Sequence, residues 1–258
     1  MRKIGLLGGP SSEGTALYYE RINALVRSRL GGHNSSDLVV SSPNFEPLVE
    51  LRQTGAFDRI GSILAENAEW LMRAGAEVIV ICADPMHGAF AAVAARIGQL
   101  NAQLGAGARL IDGTLETMQA LKAYGFDRPL VLSMQNDLEQ EAYVDRMREG
   151  GVAVMVPSLQ DRDALTHVLL NELCVGQVRR ASRDRLLSVI DLGIARGADC
   201  VVFACSEISL MLDPSDLPCP GFDSAVLQAE AAVEVSLDLH SGSTRDGAMM
   251  RLGGGLLR

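Results

Sequence analysis

Aromatic residues, basic charge and long apolar runs are all in short supply in this 258-residue chain. Lys and Arg number 23 against 32 Asp and Glu, a net charge of -9 that argues against nucleic acid as a partner, because phosphate binding needs basic surface. No apolar stretch approaches the ~20 residues of a membrane span, so no membrane partner is expected. Aromatics make up only 4%, whereas 26 glycines accompany many small aliphatic residues, which favours α/β layering.

Cofactor motifs are also missing. The five cysteines form no CxxC pair, so no zinc site is expected. The Gly8-Gly9 turn satisfies neither GxGxxG nor a Gly-Lys-Ser/Thr motif, so a nucleotide cofactor is not expected. Of the functions considered for this chain, a nicotinamide-dependent dehydrogenase is therefore the least favoured. An odd cysteine count without an apolar leader predicts free thiols and a cytoplasmic protein.

Two short apolar runs each end in a cysteine. They are Val78-Ile79-Val80-Ile81-Cys82 and Val201-Val202-Phe203-Ala204-Cys205, preceded by Gly75-Ala76-Glu77 and Gly197-Ala198-Asp199. Continuous runs rich in β-branched residues are typical of parallel strands buried on both faces, and ligands collect at the carboxyl ends of such strands. We therefore expect a pocket lined by Cys82 and Cys205, one from each half of the protein.

Strand, helix and turn alternate along the whole chain. The predicted strands are residues 3–7, 38–41, 78–82, 109–111, 129–132, 152–156 and 201–205. The predicted helices are 15–30, 57–74, 114–123, 162–174, 181–195 and 227–239, with others starting near 89, 136 and 206. This pattern predicts an α/β fold of two lobes, 1–113 plus 223–258 and 114–222, that enclose a cleft, with a loosely held tail from 241 to 258.

The two thiols have a clear candidate role. Helical spacing after Cys205 predicts a helix N-terminus there, where the helix dipole lowers a thiol pKa. Thiols on opposite sides of a cleft suit removal of a proton from one face of a carbon and its return to the other, as in racemisation or epimerisation. The alternative is that both are buried structural cysteines. Cys174, Cys200 and Cys219 are interpreted as structural, with Cys200 placed before its strand.

Polar residues near the predicted strand ends are candidate substrate ligands. Ser11 or Ser12 caps the first helix, whose free N–H groups suit a carboxylate. Glu207, like Asp84, lies two residues beyond a cysteine; it is a candidate proton relay, ammonium partner or solvated carboxylate, and a close carboxylate would raise the thiol pKa. His87 either tunes a thiol or is structural. The substrate-binding candidates are Ser11, Ser12, Asn44, Asp84, Ser133, Gln135, Asn136, Asp137, Ser206 and Glu207.

Several of these segments resemble one known family. The segments are Ile4–Gly9 with Glu13 and Thr15–Tyr19, Cys82 with Met86-His87, Leu138–Gln140, Glu172–Gln177, Cys205–Ile208 and Phe222-Asp223. Together and in this order they resemble the aspartate/glutamate racemase family, in its branch of broad-specificity amino-acid racemases. The resemblance implies two Rossmann-like lobes related by pseudo-twofold symmetry, a cysteine from each flanking the substrate, no pyridoxal cofactor and a homodimer.

The chain departs from the family pattern at substrate-holding positions. Ala83-Asp84-Pro85 follows the first cysteine in place of Thr or Asn, Ser133-Met134 and Asp137 replace a threonine-containing segment, and Gln228 replaces a histidine. Ser206 stands where threonine is usual. Like charges ~4 Å apart cost roughly 4 kcal/mol at an effective dielectric of about 20, so carboxylates at 84 and 137 would oppose ordinary aspartate or glutamate. A cationic, neutral or larger substrate is predicted.

The leading hypothesis is therefore a racemase or epimerase acting at Cα of an amino acid, with Cys82 and Cys205 as base and acid. Another two-cysteine isomerase or lyase of the superfamily, in which one thiolate attacks an unsaturated acid, is the runner-up. A non-catalytic ligand-binding homologue is the alternative from a different class.

Overall fold

The computed structural model describes residues 1–9, 11–82, 87–134 and 137–238, without the side chains of 87–89 and 137–142. The predicted tail lies outside these residues. The chain divides into two compact units. The first comprises Met1–Asp112 and the described residues from Gln228 onward, and the second comprises Gly113–Leu227. Among the described helices, none combines the length and apolar character needed to cross a membrane.

Helices and strands alternate in both units. The first unit contains β1 (Ile4–Leu7), α1 (Ser12–Leu30), β2 (Leu38–Ser41), α2 (Phe45–Gln53), α3 (Phe57–Arg73), β3 (Val78–Ile81), α4 (His87–Leu104) and β4 (Arg109–Ile111). The second contains α5 (Gly113–Tyr124), β5 (Pro129–Leu132), α6 (Asp137–Glu149), α7 (Leu159–Asn171), α8 (Arg180–Ala195), β6 (Cys200–Phe203), β7 (Gly221–Asp223) and the start of α9 (Ser224–Ser236). Short 3-10 helices lie at Leu173–Val175, Ser206–Leu210 and Pro214–Asp216.

Each unit is built on a parallel sheet. The strand orders are β2-β1-β3-β4 and β5-β6-β7, and all pairs of neighbouring strands are parallel. The predicted α/β class is confirmed. The strands that lead to Cys82 and Cys205, β3 and β6, both have a neighbour on each side, which explains their uninterrupted apolar sequence: every residue of both strands is buried.

In each unit, helices pack on the sheet and form a hydrophobic core with it. In the first unit, α3 buries Ile60, Leu64, Ala68 and Leu71, the stripe expected from helical periodicity. In the second, residues of α5 and α6 pack on β5 and β6, and Phe222 of β7 joins them. Residues 223–227 therefore belong to the second unit, because β7 pairs with β6 and Leu227 packs in the same core.

The repeated Gly-Ala-acid step is a repeated helix stop. Gly75 follows α3 with a φ of 89°, and Gly197 follows α8 with a φ of 97°, a region that favours glycine. After α3, the Gly75 N–H donates to the Met72 carbonyl at 2.9 Å and the Ala76 N–H to the Leu71 carbonyl at 3.0 Å. This is the hydrogen-bond pattern of a Schellman motif.

The same pair of bonds closes α8. The Gly197 N–H donates to the Ile194 carbonyl at 2.8 Å and the Ala198 N–H to the Gly193 carbonyl at 3.1 Å. The strands β3 and β6 thus each begin three residues after the glycine of the same kind of helix end.

Some elements differ from the predictions. Residues 152–156 form no strand: only Met155 bridges to Leu130, and Ser158 already caps α7. Cys200 is the first residue of β6 rather than a residue before it. The helix α2 and the strand β7 were not among the predicted elements; β7 has the sequence Gly-Phe-Asp, with one apolar side chain and therefore no apolar run.

Candidate functional site

At the carboxyl edge of the first sheet, the β1–α1 turn places the two predicted serines differently. Ser11 is the N-cap of α1: it is 2% exposed, and its Oγ accepts a hydrogen bond from the Gly14 N–H at 2.9 Å. Ser12 is exposed and donates to Glu13 Oε2 at 2.7 Å. Asn44 is exposed at the start of α2, where its side chain makes no capping hydrogen bond. Ser11 is therefore the residue fixed at the helix N-terminus.

Cys82 follows β3 directly. Its N–H donates to the Leu7 carbonyl at 2.9 Å, which extends the β1–β3 ladder by one residue, and its side chain is fully buried. Asp84 lies outside the described residues. His87 begins α4, and its side chain is not described.

At the carboxyl edge of the second sheet, Ser133 follows β5. It is 4% exposed, and its Oγ is buried without a hydrogen-bond partner among the described residues. Asp137 begins α6, with its side chain not described, and Gln135 and Asn136 lie outside the described residues.

Cys205 lies beside this edge, two residues past the end of β6. The Ala204 N–H makes the last ladder bond, to the Leu132 carbonyl at 2.9 Å. The Cys205 Sγ donates to Glu207 Oε2 at 2.9 Å, and the Ser206 Oγ donates to the same oxygen at 3.2 Å. All three residues are buried, with Glu207 only 1% exposed.

The surroundings of Cys205 hold its proton on sulfur. Burial raises the pKa of the Cys205 thiol well above its usual value, and the Glu207 carboxylate and the Cys174 thiol raise it further. The predicted lowering of this pKa by a helix dipole is wrong. The helix that follows is a 3-10 helix of five residues, and desolvation with a carboxylate in contact dominates. The expectation that a close Glu207 raises the pKa is confirmed.

The three remaining cysteines lie in the second unit. Cys174, in the first of the 3-10 helices, is a neighbour of Cys205 that was not among the predicted site residues, although it lies within the Glu172–Gln177 segment. Burial and Asp199 raise the pKa of Cys200, and burial with Asp191 and Asp199 raises that of Cys219 to about 11. Within the described part of the chain, no group of three or more His, Cys, Asp or Glu residues is arranged to hold a metal ion.

The Phe222-Asp223 segment and Gln228 hold α9 in place. Asp223 Oδ1 accepts from the Ala225 N–H at 2.9 Å, which caps the start of the helix. In the first unit, Gln228 accepts from the Tyr18 hydroxyl at 2.6 Å and donates to the Ile111 carbonyl at 2.8 Å. The residue that replaces the family histidine is therefore 2% exposed and hydrogen-bonded at both ends of its amide.

Comparison with known proteins assigns the chain to a family. A sequence model described as Asp/Glu/Hydantoin racemase matches residues 7–232. The chain belongs to this family. It is 32% identical to a Yersinia pestis protein assigned to the Asp/Glu racemases, with a TM-score of 0.78 and coverage of 92% of this chain and 100% of that one.

More distant solved structures share the fold of this racemase-family chain. The aspartate racemase of Picrophilus torridus has 17% identity and a TM-score of 0.73, with coverage of 92% of this chain and 94% of that chain. The maleate isomerase of Pseudomonas putida S16 has 16% identity and a TM-score of 0.56, with coverage of 92% of both chains.

Proposed function

We propose that this member of the racemase family inverts the configuration at Cα of an amino acid, with Cys82 and Cys205 as the two proton-transfer groups. The supporting observation is that an interior strand of each parallel sheet, β3 and β6, is followed within two residues by a buried cysteine at the carboxyl edge. The proposal includes a cytoplasmic homodimer that uses neither a metal nor a pyridoxal cofactor.

The proposed reaction uses the two sulfur atoms in alternate roles. The Cys82 thiolate takes the Cα proton, and the electron pair of the broken C–H bond stays on the substrate as a carbanion. The Cys205 thiol then gives its proton to the opposite face of Cα and becomes a thiolate. The reverse direction exchanges these roles. The hydrogen bond from Cys205 Sγ to Glu207 supports the assignment of Cys205 as the protonated partner.

Two polar features support a substrate carboxylate site. The N-terminus of α1, capped by Ser11, presents backbone N–H groups that favour an anion. The Ser133 hydroxyl is buried without a partner among the described residues, and buried polar atoms are usually hydrogen-bonded, so a ligand oxygen is a suitable partner. Gln135, Asn136, Ser12 and Asn44 are further proposed contacts.

The proposed substrate has a neutral or cationic side chain. The Glu207 carboxylate contacts Cys205, so a second carboxylate brought to this thiol would meet a like charge at short range. Asp84 and Asp137 are two further acidic residues among the candidate site residues. In the sequence, they follow the ends of β3 and β5. Ordinary aspartate and glutamate are therefore proposed to be poor substrates.

The test is a panel of L- and D-amino acids incubated with the protein in heavy water and followed by NMR and chiral chromatography. The expected result is loss of the Cα proton signal together with formation of the opposite enantiomer, faster for lysine, arginine or neutral amino acids than for aspartate. Comparable rates for aspartate and lysine would contradict the proposed substrate class.

Two other outcomes identify the alternative functions. Isomerisation of an unsaturated acid without Cα exchange indicates the two-cysteine isomerase or lyase. Ligand binding without any turnover indicates a binding homologue. Since buried structural cysteines are common, iodoacetamide labelling of Cys82 and Cys205, and protection from it by the substrate, tests whether small molecules reach both sulfur atoms.

A further inference from the structure

A buried carboxylate lies against one of the two proposed catalytic thiols. Glu207 Oε2 is 2.9 Å from the Cys205 Sγ, and Glu207 is the least exposed residue of the segment 205–207, at 1%. A carboxylate this deeply buried requires hydrogen-bond donors, because removal of its charge from water is costly. The thiol of Cys205 and the hydroxyl of Ser206 are such donors.

The local backbone explains how the contact forms. Cys205 is the last extended residue before the 3-10 helix Ser206–Leu210, with φ -141° and ψ 119°. The tight helical turn that follows brings the side chain two residues later back towards the sulfur. With two donors on the same oxygen, Glu207 has the geometry of a group that orients Cys205 rather than one that holds a substrate ammonium.

We propose that Glu207 is a positioning residue for Cys205: its carboxylate aims the thiol and keeps the proton on sulfur, so that Cys205 enters the catalytic cycle as the proton donor. This inference rests on the proposed function. It assigns the resting roles of the two cysteines, which the sequence pattern leaves undetermined, and it moves Glu207 from the substrate contacts to the support of a thiol.

The proton balance of the step follows directly. As the carbanion takes the proton, the S–H bond breaks, the new C–H bond forms and the bonding pair stays on the Cys205 sulfur. The resulting thiolate then lies beside the Glu207 carboxylate, an unfavourable contact between like charges. This repulsion favours the return of a proton to Cys205, either from the product in the reverse reaction or, after product release, through water, which gives a proton to the Cys205 thiolate and takes one from the Cys82 thiol.

The titratable groups that face Cys205 among the described residues are Glu207, on its own segment, and Cys174, on the 3-10 helix Leu173–Val175. Burial raises the pKa of Cys205 in addition to both groups. Loss of the Glu207 charge should therefore lower this pKa without abolishing the effect of burial. Cys219 supplies an internal reference, because burial, Asp191 and Asp199 raise its pKa and Glu207 is not among the causes.

The experiment measures the pH dependence of iodoacetamide labelling at each cysteine by mass spectrometry in the wild type, Glu207→Gln and Glu207→Asp. For Cys205, the labelling midpoint is expected to fall by about 1–3 pH units in Glu207→Gln, the range by which one nearby charge shifts a pKa. Glu207→Asp keeps the charge but draws it away from sulfur, so a smaller fall is expected. The Cys219 midpoint should stay unchanged in both variants.

Activity supplies a second readout. The alkaline limb of the kcat/KM profile for racemisation should move to lower pH in Glu207→Gln by a similar amount, since this limb reports loss of the donor proton. A Cys205 labelling profile that is the same in the wild type and Glu207→Gln, including equal lack of reaction, would overturn the proposal. A shifted labelling profile in a protein that racemises nothing would leave the Glu207 assignment standing and reject the proposed function. If Glu207→Gln does not fold, the smaller shift in Glu207→Asp decides.

Discussion

The two connections that carry Cys82 and Cys205 begin identically and end differently. In both, a Schellman motif stops a helix, and a strand starts three residues after its glycine, at Val78 and at Cys200. Cys82 then continues the ladder of its sheet, with its N–H bonded to the Leu7 carbonyl. In the second unit, Ala204 makes the equivalent ladder bond, and Cys205 lies one residue beyond it.

The extra residue changes the chemistry of the thiol. Because Cys205 lies beyond the ladder, its chain turns at once into a 3-10 helix, and Glu207 reaches back to the sulfur. Two similar strands therefore lead to cysteines in different surroundings. The backbone of Cys82 is hydrogen-bonded within its sheet, whereas the Cys205 thiol contacts a carboxylate. For a two-thiol mechanism, such a difference is what separates a proton donor from its partner.

The largest expected effect tests whether both cysteines take part in catalysis. Cys82→Ser and Cys205→Ser should each lower kcat/KM for racemisation by about 10²–10⁴-fold, the usual contribution of a general acid or base. Cys219→Ser is the matched control, because Cys219 lies at the other end of the second sheet, before β7, and should leave the rate unchanged. Full activity in either single variant would remove that cysteine from the mechanism.

At alkaline pH, the second unit should lose stability before the first. Cys200, Cys205 and Cys219, all in the second unit, have folded-state pKa values raised above the usual thiol value near 9. Their stabilising contribution is complete below about pH 9 and is lost as the pH rises towards the folded values, because the unfolded chain releases these protons first.

Each fully buried thiol then lowers the free energy of unfolding by up to about 1.4 kcal/mol per pH unit. Hydrogen exchange at about pH 8 and about pH 10, corrected for the intrinsic rate, should show protection lost first in the second unit. Cys205→Ala should reduce the pH dependence of urea unfolding. Earlier loss of protection in the first unit would contradict the attribution of the alkaline destabilisation to the thiols of the second unit.

The two helix stops should be similarly sensitive to a side chain. Gly75→Ala and Gly197→Ala each force a positive φ on a residue with a Cβ, at a cost of about 1–2 kcal/mol in the free energy of unfolding. The cost should be similar at the two positions: at Gly75 the nearest atom to the new Cβ is 4.0 Å away, and at Gly197 the Arg128 guanidinium, 3.2 Å away, is the exposed end of a flexible side chain that can move aside. Urea titration of both variants measures the two costs, and a clearly larger loss at either glycine would show that the two stops are not equivalent.

The smallest effect concerns the first helix cap. Ser11→Ala should lower the free energy of unfolding by about 1 kcal/mol, because the Gly14 N–H loses its side-chain acceptor. Ser12→Ala is the matched control and should change stability by only a few tenths, since Ser12 is exposed and bonds only Glu13 among the described contacts. Equal losses in both variants would mean that Ser11 is not the cap.

Periodicity and turn chemistry predicted much of this fold correctly. The strands at 38–41, 109–111 and 129–132 have the predicted bounds, and the buried stripe of α3 follows from its spacing alone. The segment 152–156 was misjudged because its apolar residues contact a sheet edge through a single bridge, which a sequence pattern does not distinguish from full pairing.

The sequence by itself determined the racemase family, the two α/β units with parallel sheets, and a cysteine just past the end of one interior strand in each unit, because these depend on local runs of residues and on helix-stopping glycines. Tertiary structure alone decided the state of Cys205. Whether a thiol near a helix start gains or loses acidity depends on desolvation and on the group that contacts it, and burial against Glu207 and Cys174 outweighs a dipole of one short turn.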